Sequence, residues 1–178
     1  MLIILAAKRG RNYNEIMKMN ERHPKENTIS NLSSYSTIVF GLALFVAIIL
    51  DIVYPLKFLA EPLNRYLGIS LIILATVIIY WAERLGKIFS ERRKNGEIKE
   101  AEQLAMGPYF WTRNPKYLAL AILIIGLGVV INSLFVTLSS VAALIVINYF
   151  LLSKEEELME TRHGEIYHEY KKKVRKWL

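Results

Sequence analysis

The sequence predicts an all-α, polytopic membrane protein with about four transmembrane helices. Of its 178 residues, 53% are hydrophobic and 22% are charged, but the charges are very unevenly distributed. Three stretches contain no Lys, Arg, Asp or Glu, namely residues 27–50, 66–82 and 117–153. A soluble helix or strand has one wet face and mixes charged with apolar residues, so this separation excludes an ordinary soluble globule. Because the chain has no cysteine, disulfides, thiol nucleophiles and Cys-based zinc sites are excluded too.

The uncharged stretches predict the individual spans, each of which needs about 17–25 mostly apolar residues. The first stretch supplies one helix, which ends before Pro55, and the second ends at the aromatic pair Tyr80-Trp81, typical of a membrane interface. The third is too long for one span, and Asn132-Ser133 in its middle is typical of a turn, which predicts a tight C-terminal hairpin. The four predicted spans cover about 35–53, 67–83, 117–131 and 134–152.

The basic residues predict the orientation. The chain has 23 Lys and Arg residues. They lie before the first span, between the second and third, or after the fourth, with the exception of Lys57 and Arg65. By the positive-inside rule, both termini and the loop 84–116 are expected to be cytoplasmic, at the plasma membrane of a prokaryote or the endoplasmic reticulum of a eukaryote. Residues 1–33 are then a cytoplasmic N-terminal lead-in, and 154–178 a cytoplasmic amphipathic tail. Basic loops facing anionic lipid headgroups account for the net charge of +7, so no nucleic acid partner is expected.

Two polar stretches flank the predicted hairpin and should meet in space, since a hairpin returns its second helix beside its first. The stretch before it contains Gly107-Pro108-Tyr109 and Arg113-Asn114-Pro115-Lys116-Tyr117, and the stretch after it contains Glu155-Glu156 and the Tyr-rich run 164–170. Each has an ordinary explanation. Asn114-Pro115 could be a helix N-cap followed by Pro at the first helical position, the glutamates a solvated run, the aromatic residues an interfacial belt, and Arg113 a snorkelling side chain.

In this order, with a membrane hairpin between them, the motifs resemble the isoprenylcysteine carboxyl methyltransferase and phospholipid methyltransferase superfamily of integral-membrane enzymes. That signature runs Gly-x-Tyr, Arg-His/Asn-Pro-x-Tyr, Glu-Glu and Gly-x-x-Tyr-x-x-Tyr, and Leu85-Gly86 after the second span is similar as well. The resemblance covers about residues 65–178. It implies that residues 34–178 form a membrane methyltransferase domain, in which cytoplasmic helices close a cofactor pocket.

The resemblance also implies a reaction. A methyl group from S-adenosylmethionine, leaving S-adenosylhomocysteine, would pass to a lipid or to a prenylated small molecule or protein among the membrane lipids. An isoprenylcysteine carboxyl O-methyltransferase is the leading interpretation. A phospholipid N-methyltransferase acting on an amine headgroup, and a non-catalytic membrane scaffold that keeps the fold, are the alternatives. The oligomeric state stays open, and no metal is expected, since His23, His163 and His168 lack ligand spacing.

The site residues follow from the resemblance position by position. It implies Arg113 and Glu156 as catalytic residues, and Leu151 stands where the eukaryotic isoprenylcysteine enzymes carry a basic residue for the acceptor's carboxylate. These residue types suit the cofactor: a carboxylate can bind ribose hydroxyls or an ammonium, Arg a carboxylate, and aromatic faces an adenine or a sulfonium. The implied cofactor-binding residues are Ala101, Glu102, Gln103, Leu104, Tyr109, Asn114, Pro115, Lys116, Tyr117 and Glu155.

Overall fold

A computed structural model describes residues 26–98 and 101–177, and all regular secondary structure in these ranges is helical. The predicted all-α class is therefore confirmed for this part of the chain, whereas the lead-in up to residue 25 lies outside it. Two short 3₁₀ turns, Ala101–Gln103 and Gly107–Phe110, connect the second and third helices. The six α-helices are α1 (Glu26–Val53), α2 (Leu63–Lys94), α3 (Pro115–Val130), α4 (Leu134–Phe150), α5 (Leu152–His163) and α6 (Glu165–Lys173).

Two helices are long and apolar enough to cross a membrane, over Ser34–Val53 in α1 and Leu63–Arg92 in α2. A third candidate exists if α4 and α5, which meet at a bend of 43°, count as one broken span. α3 is apolar but has only 16 residues, so it is about 24 Å long, whereas the hydrocarbon core is about 30 Å thick. The described residues thus contain two or three candidate spans where the sequence predicted four.

The first two helices extend beyond the predicted spans. α1 already begins at Glu26, inside the predicted lead-in, and α2 continues to Lys94, well into the predicted loop 84–116. The physical reason is that an uncharged stretch marks apolar composition, whereas a helix can continue with charged residues wherever they are solvated. α6 ends at Lys173, so residues 174–177 of the predicted amphipathic tail are not helical.

α3 occupies the middle of the bundle, where it packs against α2 on one side and α4 on the other, while α1 packs against α4. The α2–α3 crossing is close because two glycines meet there. A Cβ added to Gly68 would lie 2.7 Å from the carbonyl oxygen of Gly126, so only a residue without a side chain fits. Buried residues of the core between α1, α3 and α4 include Phe40, Tyr117, Ile124, Val136 and Ile147.

The turn between α3 and α4 is closed by polar contacts, at the position where the sequence predicted a turn. Asn132 has a φ of 55°, which Asn tolerates better than most residues. Its Oδ1 accepts from the amides of Phe58 (3.1 Å) and Leu59 (3.0 Å), and its Nδ2 donates to the Leu59 carbonyl (2.8 Å). Ser133 Oγ donates to Asp51 Oδ1 (2.6 Å). We call this the turn end of the bundle, and the opposite end, where α3 begins and α4 ends, the site end.

Candidate functional site

The turn that carries Arg113 and Asn114 leads directly into α3 at the site end. Pro115 is the first residue of α3, where its missing N–H costs no hydrogen bond. Asn114 occupies the N-cap position, but its side chain does not cap the helix. Instead, its Nδ2 donates to the carbonyl of Lys176 (3.0 Å). The helix-start interpretation is therefore correct for Pro115 and wrong for the side chain of Asn114.

Glu155 lies beside the start of α3, although it belongs to the first turn of α5. The bend of 43° after α4 directs α5 across this end of the bundle. Tyr117 Oη donates to Glu155 Oε1 at 2.6 Å, over a sequence separation of 38 residues. Burial raises the pKa of Glu155, whereas the hydrogen bond from Tyr117 lowers it, so this contact favours the ionised carboxylate while it joins the two flanking motifs.

Glu156 has different partners from its neighbour, because successive residues of a helix point about 100° apart. Its Oε1 lies 2.9 Å from Arg113 Nη1, and its Oε2 lies 3.6 Å from Lys171 Nζ. Lys171 also contacts Glu160 Oε1 at 2.7 Å, and this hydrogen bond lowers the pKa of Glu160. One glutamate therefore faces a tyrosine and the other a pair of cations.

The Arg113–Glu156 pair is buried but poorly hydrogen-bonded. Only 11% of the Arg113 side chain and 16% of the Glu156 side chain are exposed. Arg113 Nε and Nη1 and Glu156 Oε1 make no hydrogen bond, so the 2.9 Å contact is an attraction of charges without hydrogen-bond geometry. Buried polar atoms nearly always have partners. A buried cation and a buried anion that lie together and keep atoms without hydrogen bonds are typical of a binding site for a polar ligand.

The flanking motifs line a single cavity of about 250 Å³. Its wall contains residues of α2, α3, α5, α6 and the segment between α2 and α3. Of the residues singled out from the sequence, the cavity brings together Leu104, Tyr109, Arg113, Asn114, Pro115, Lys116, Tyr117, Glu155 and Glu156.

Five further residues line the cavity but were not among the predicted site residues: Gly86, Phe89, Met159, Tyr167 and Tyr170. The sequence contained a signal for each. Gly86 and the two tyrosines belong to motifs that carry the family resemblance. Phe89 and Met159 follow Gly86 and Glu155 by about one helical turn, so each lies on the same helix face as a residue already singled out.

Gly107 allows the segment before α3 to approach α2. It has a φ of +57°, a backbone conformation that L side chains rarely adopt. A Cβ at this position would also lie only 2.5 Å from Leu85 Cδ1 on α2. The glycine of the Gly-x-Tyr motif is thus required sterically, and it places Tyr109 in the cavity wall.

Tyrosines form the aromatic part of the wall. Tyr109 packs edge-on against Phe89, with ring centroids 5.8 Å apart, and its carbonyl accepts from Tyr170 Oη at 2.8 Å. Burial raises the pKa of Tyr109 to about 12, and the negative charge of Glu155 adds to this. Burial likewise raises the pKa of Tyr167 to about 12. Both phenols are therefore protonated at neutral pH and can donate hydrogen bonds to a ligand.

Of the predicted cofactor-binding residues, Ala101 and Gln103 are not part of this wall. Ala101 is 2% exposed and packs behind it, in a cluster with Leu104 and Val174. Gln103 does not line the cavity. The side chain of Glu102 lies outside the described part of the chain. An alanine has no polar side chain to offer a cofactor, and the methyl group of Ala101 packs in this cluster.

Comparison with known proteins identifies the family of the chain. Residues 63–166, more than half of the chain, match the phospholipid methyltransferase family. The chain belongs to this family. The superfamily expected from the motifs is thereby confirmed. An uncharacterized protein of Haemophilus influenzae is 32% identical over 62 residues, which are 35% of this chain and 98% of that protein. No solved structure matches the chain.

Membership of the phospholipid methyltransferase family indicates a membrane methyltransferase with S-adenosylmethionine as the methyl donor. The family and the long apolar helices together point to an integral membrane protein. The cavity fits such a cofactor chemically. Arg113 has unpartnered buried nitrogens for a carboxylate, Glu155 an acceptor for hydroxyls or an ammonium, and Tyr109 an aromatic face. Within residues 26–98 and 101–177, no three His, Asp or Glu side chains are grouped as a metal site would require.

Proposed function

We propose that the protein is an integral-membrane, isoprenylcysteine carboxyl O-methyltransferase-like enzyme that methylates a lipid-bearing acceptor at the cytoplasmic membrane face. The observation that carries the proposal is the cavity in which Arg113, Tyr117, Glu155 and Glu156 converge. A cavity with charged groups and aromatic walls at one end of an apolar bundle suits a reaction between a polar cofactor and a lipid.

The proposed membrane arrangement has four spans and places the cavity at the cytoplasmic end. Residues 34–178 are the methyltransferase domain in this arrangement, and residues 1–33 precede it as a cytoplasmic lead-in. Support comes from the basic residues, since only Lys57 and Arg65 fall on the side assigned to the exterior. α3 and α4 are joined by a short turn, so if α4 crosses the membrane, α3 must return through it.

S-adenosylmethionine, when bound, would supply a methyl group attached to a positively charged sulfur. The acceptor's lone pair would form a bond to the methyl carbon, and the electrons of the broken carbon–sulfur bond would go to the sulfur. The residues proposed to hold it are Leu104, Tyr109, Glu155 and the run 114–117, together with Ala101, Glu102 and Gln103. Tyr117 orients the Glu155 carboxylate through its 2.6 Å hydrogen bond. Arg113 and Glu156 are the proposed catalytic residues, and their contribution is to align the reactants and exclude water.

The acceptor distinguishes two forms of the proposal. A carboxylate acceptor needs no base, but it does need a cation to hold it. Leu151, at the position where the isoprenylcysteine enzymes carry a basic residue, is 8% exposed and packs in the apolar core. This observation favours the second candidate, a phospholipid N-methyltransferase whose amine headgroup would need no such cation.

Calorimetric titration of the detergent-purified chain with S-adenosylhomocysteine tests the proposal. We expect saturable binding, and Glu155→Gln should weaken it more than tenfold because the carboxylate loses its charge. Glu157→Gln is the matched control, since Glu157 lies on the same helix but is exposed. No heat from a folded protein would support the non-catalytic scaffold instead, and equal binding by both variants would remove Glu155 from the site.

A transfer assay in lipid nanodiscs identifies the acceptor. A radiolabelled methyl donor is offered with a farnesylcysteine analogue in one reaction and with phosphatidylethanolamine in another. Label in the first product supports the carboxyl O-methyltransferase, and label in the second supports the phospholipid N-methyltransferase. Glu155→Gln should abolish labelling in whichever reaction proceeds.

A further inference from the structure

A short non-helical segment, residues 174–177, follows α6 and lies along the turn that carries Arg113. We call it the C-terminal segment. Each residue of the turn donates one hydrogen bond to it, over more than 60 residues of sequence. The three bonds are Thr112 Oγ1 to the Lys176 carbonyl (2.9 Å), the Arg113 amide to the Arg175 carbonyl (3.0 Å) and Asn114 Nδ2 to the Lys176 carbonyl (3.0 Å).

Both ends of the C-terminal segment are fixed to the rest of the molecule. Val174 is 5% exposed and packs with Tyr167 and Tyr170, which line the cavity. Trp177 packs against the core of the apolar helices, and its Nε1 donates to Asn148 Oδ1 on α4 at 3.1 Å. Because it is held at both ends, the segment can act as a rigid support for the turn.

The turn depends on such a support. The Asn114 side chain does not cap α3, so this end of the turn is not held by the helix. The Arg113 guanidinium contacts Glu156 at 2.9 Å and hydrogen-bonds Tyr167, while the backbone of the turn sets where the side chain begins. A displacement of about 1 Å in a binding group can cost a factor of about 100 in function. Whatever holds this backbone therefore affects the affinity of the cavity.

We propose that the C-terminal segment is a positioning element of the binding site, which holds the 112–114 turn so that Arg113 points into the cavity with its nitrogens available to the cofactor's carboxylate. It is a property of this chain beyond the matched family range, which ends at residue 166. The proposal rests on the proposed function for the identity of the ligand. Its structural part, the support of the turn, is independent of any ligand.

The test compares Thr112→Val with Thr112→Ser in the full-length chain. Thr112 is 3% exposed and does not line the cavity, so neither change removes a ligand contact. Valine keeps the shape but loses the hydroxyl, which donates to the Lys176 carbonyl and also accepts from the Asn114 amide at 3.2 Å within the turn. Shortening the chain, described below, removes the first contact and leaves the second. We expect Thr112→Val to weaken S-adenosylhomocysteine binding about fivefold, and Thr112→Ser, which keeps the hydroxyl, to stay within about twofold of the wild type.

Ending the chain after Lys173 removes the whole segment and should weaken binding more than tenfold. Lys172→Ala is the control on the same tail, because Lys172 is exposed. Hydrogen exchange provides the readout that needs no ligand. The Arg113 amide is expected to be protected in the wild type and in Lys172→Ala, and to exchange at least tenfold faster in the shortened chain.

The outcomes separate the two proposals. If the wild type fails to bind S-adenosylhomocysteine, the proposed function is overturned, and exchange at the Arg113 amide alone decides whether the segment supports the turn. Unchanged protection after truncation would overturn the segment's role. Equal binding by wild type and Thr112→Val, or equal weakening by Thr112→Val and Thr112→Ser, would also overturn it, since neither is expected of a support that acts through the hydroxyl.

Discussion

The two ends of the bundle differ in how completely their buried polar groups are hydrogen-bonded. At the turn end, Asn132 makes three hydrogen bonds to the loop between α1 and α2, and Ser133 donates a hydrogen bond to Asp51. At the site end, Arg113 and Glu156 are also buried, yet they keep atoms without hydrogen-bond partners. The contrast is not complete, because Asn64 Oδ1 near the turn end also lacks a partner while its Nδ2 binds the Val130 carbonyl.

The comparison separates polar residues that stabilise from polar residues that bind. Buried groups with complete hydrogen bonding hold the fold together, whereas charged groups left incompletely paired beside a cavity are available to a ligand. Substitutions at the turn end should therefore change stability without changing affinity. Substitutions at the site end should change affinity even where stability is restored.

The largest effect on stability is expected from Asn132→Ala at the turn end. The change removes three hydrogen bonds and places alanine at a φ of 55°, which should cost about 3 kcal/mol of the free energy of unfolding. Denaturant titration in detergent measures this cost. Asn132→Gly tolerates the backbone angle and should cost less than alanine. The affinity for S-adenosylhomocysteine should stay within twofold of the wild type in both variants. A larger loss would show that the turn end also affects binding.

At the site end, Arg113→Met should cost about 2 kcal/mol, because Glu156 is left buried with Lys171 as its remaining cation. The double variant Arg113→Met, Glu156→Gln removes the unpaired charge and should regain most of this stability. Binding of S-adenosylhomocysteine should remain more than tenfold weaker in both. If affinity returned together with stability in the double variant, the pair would be structural rather than ligand-binding.

The smallest effect is a pH dependence at the site end. The pKa of Tyr109 is raised to about 12, whereas an unfolded chain ionises tyrosine near pH 10. The folded state therefore keeps its proton longer, so the contribution of Tyr109 to stability is complete below pH 10 and is lost between pH 10 and 12. Tyr109→Phe should make the melting temperature fall less steeply over this range. Tyr149→Phe, at an exposed position on α4, should follow the wild type.

Much of the fold could be predicted from composition and order alone. Uncharged stretches located the apolar helices, and Asn132-Ser133 located the turn, because such signals are local in sequence. The contact of Tyr117 with Glu155 could be predicted from the hairpin, because a hairpin brings the end of its second helix beside the start of its first. The end of α2 at Lys94 could not be predicted, since hydropathy marks where a helix is apolar and not where it stops.

The parts of the site that escaped prediction depend on distant partners. Asn114 looked like a helix cap, but its side chain binds a carbonyl 62 residues away, and no local pattern reports that contact. Ala101 was included by likeness to the family, and the packing of its methyl group with Val174 is a contact that no local pattern reports. The tyrosines at 167 and 170 were visible as a motif, yet only the folded chain brings them to the cavity wall.

The shortness of the hairpin helices has a consequence for bilayer thickness. At 16 and 17 residues, α3 and α4 are about 24 and 26 Å long, a few ångströms less than a typical hydrocarbon layer. In the proposed arrangement this hydrophobic mismatch is relieved by local thinning of the lipid around the pair. In that arrangement a thinner bilayer brings the lipid headgroups nearer to the cavity at the start of α3, which shortens the distance between a lipid's polar end and the site.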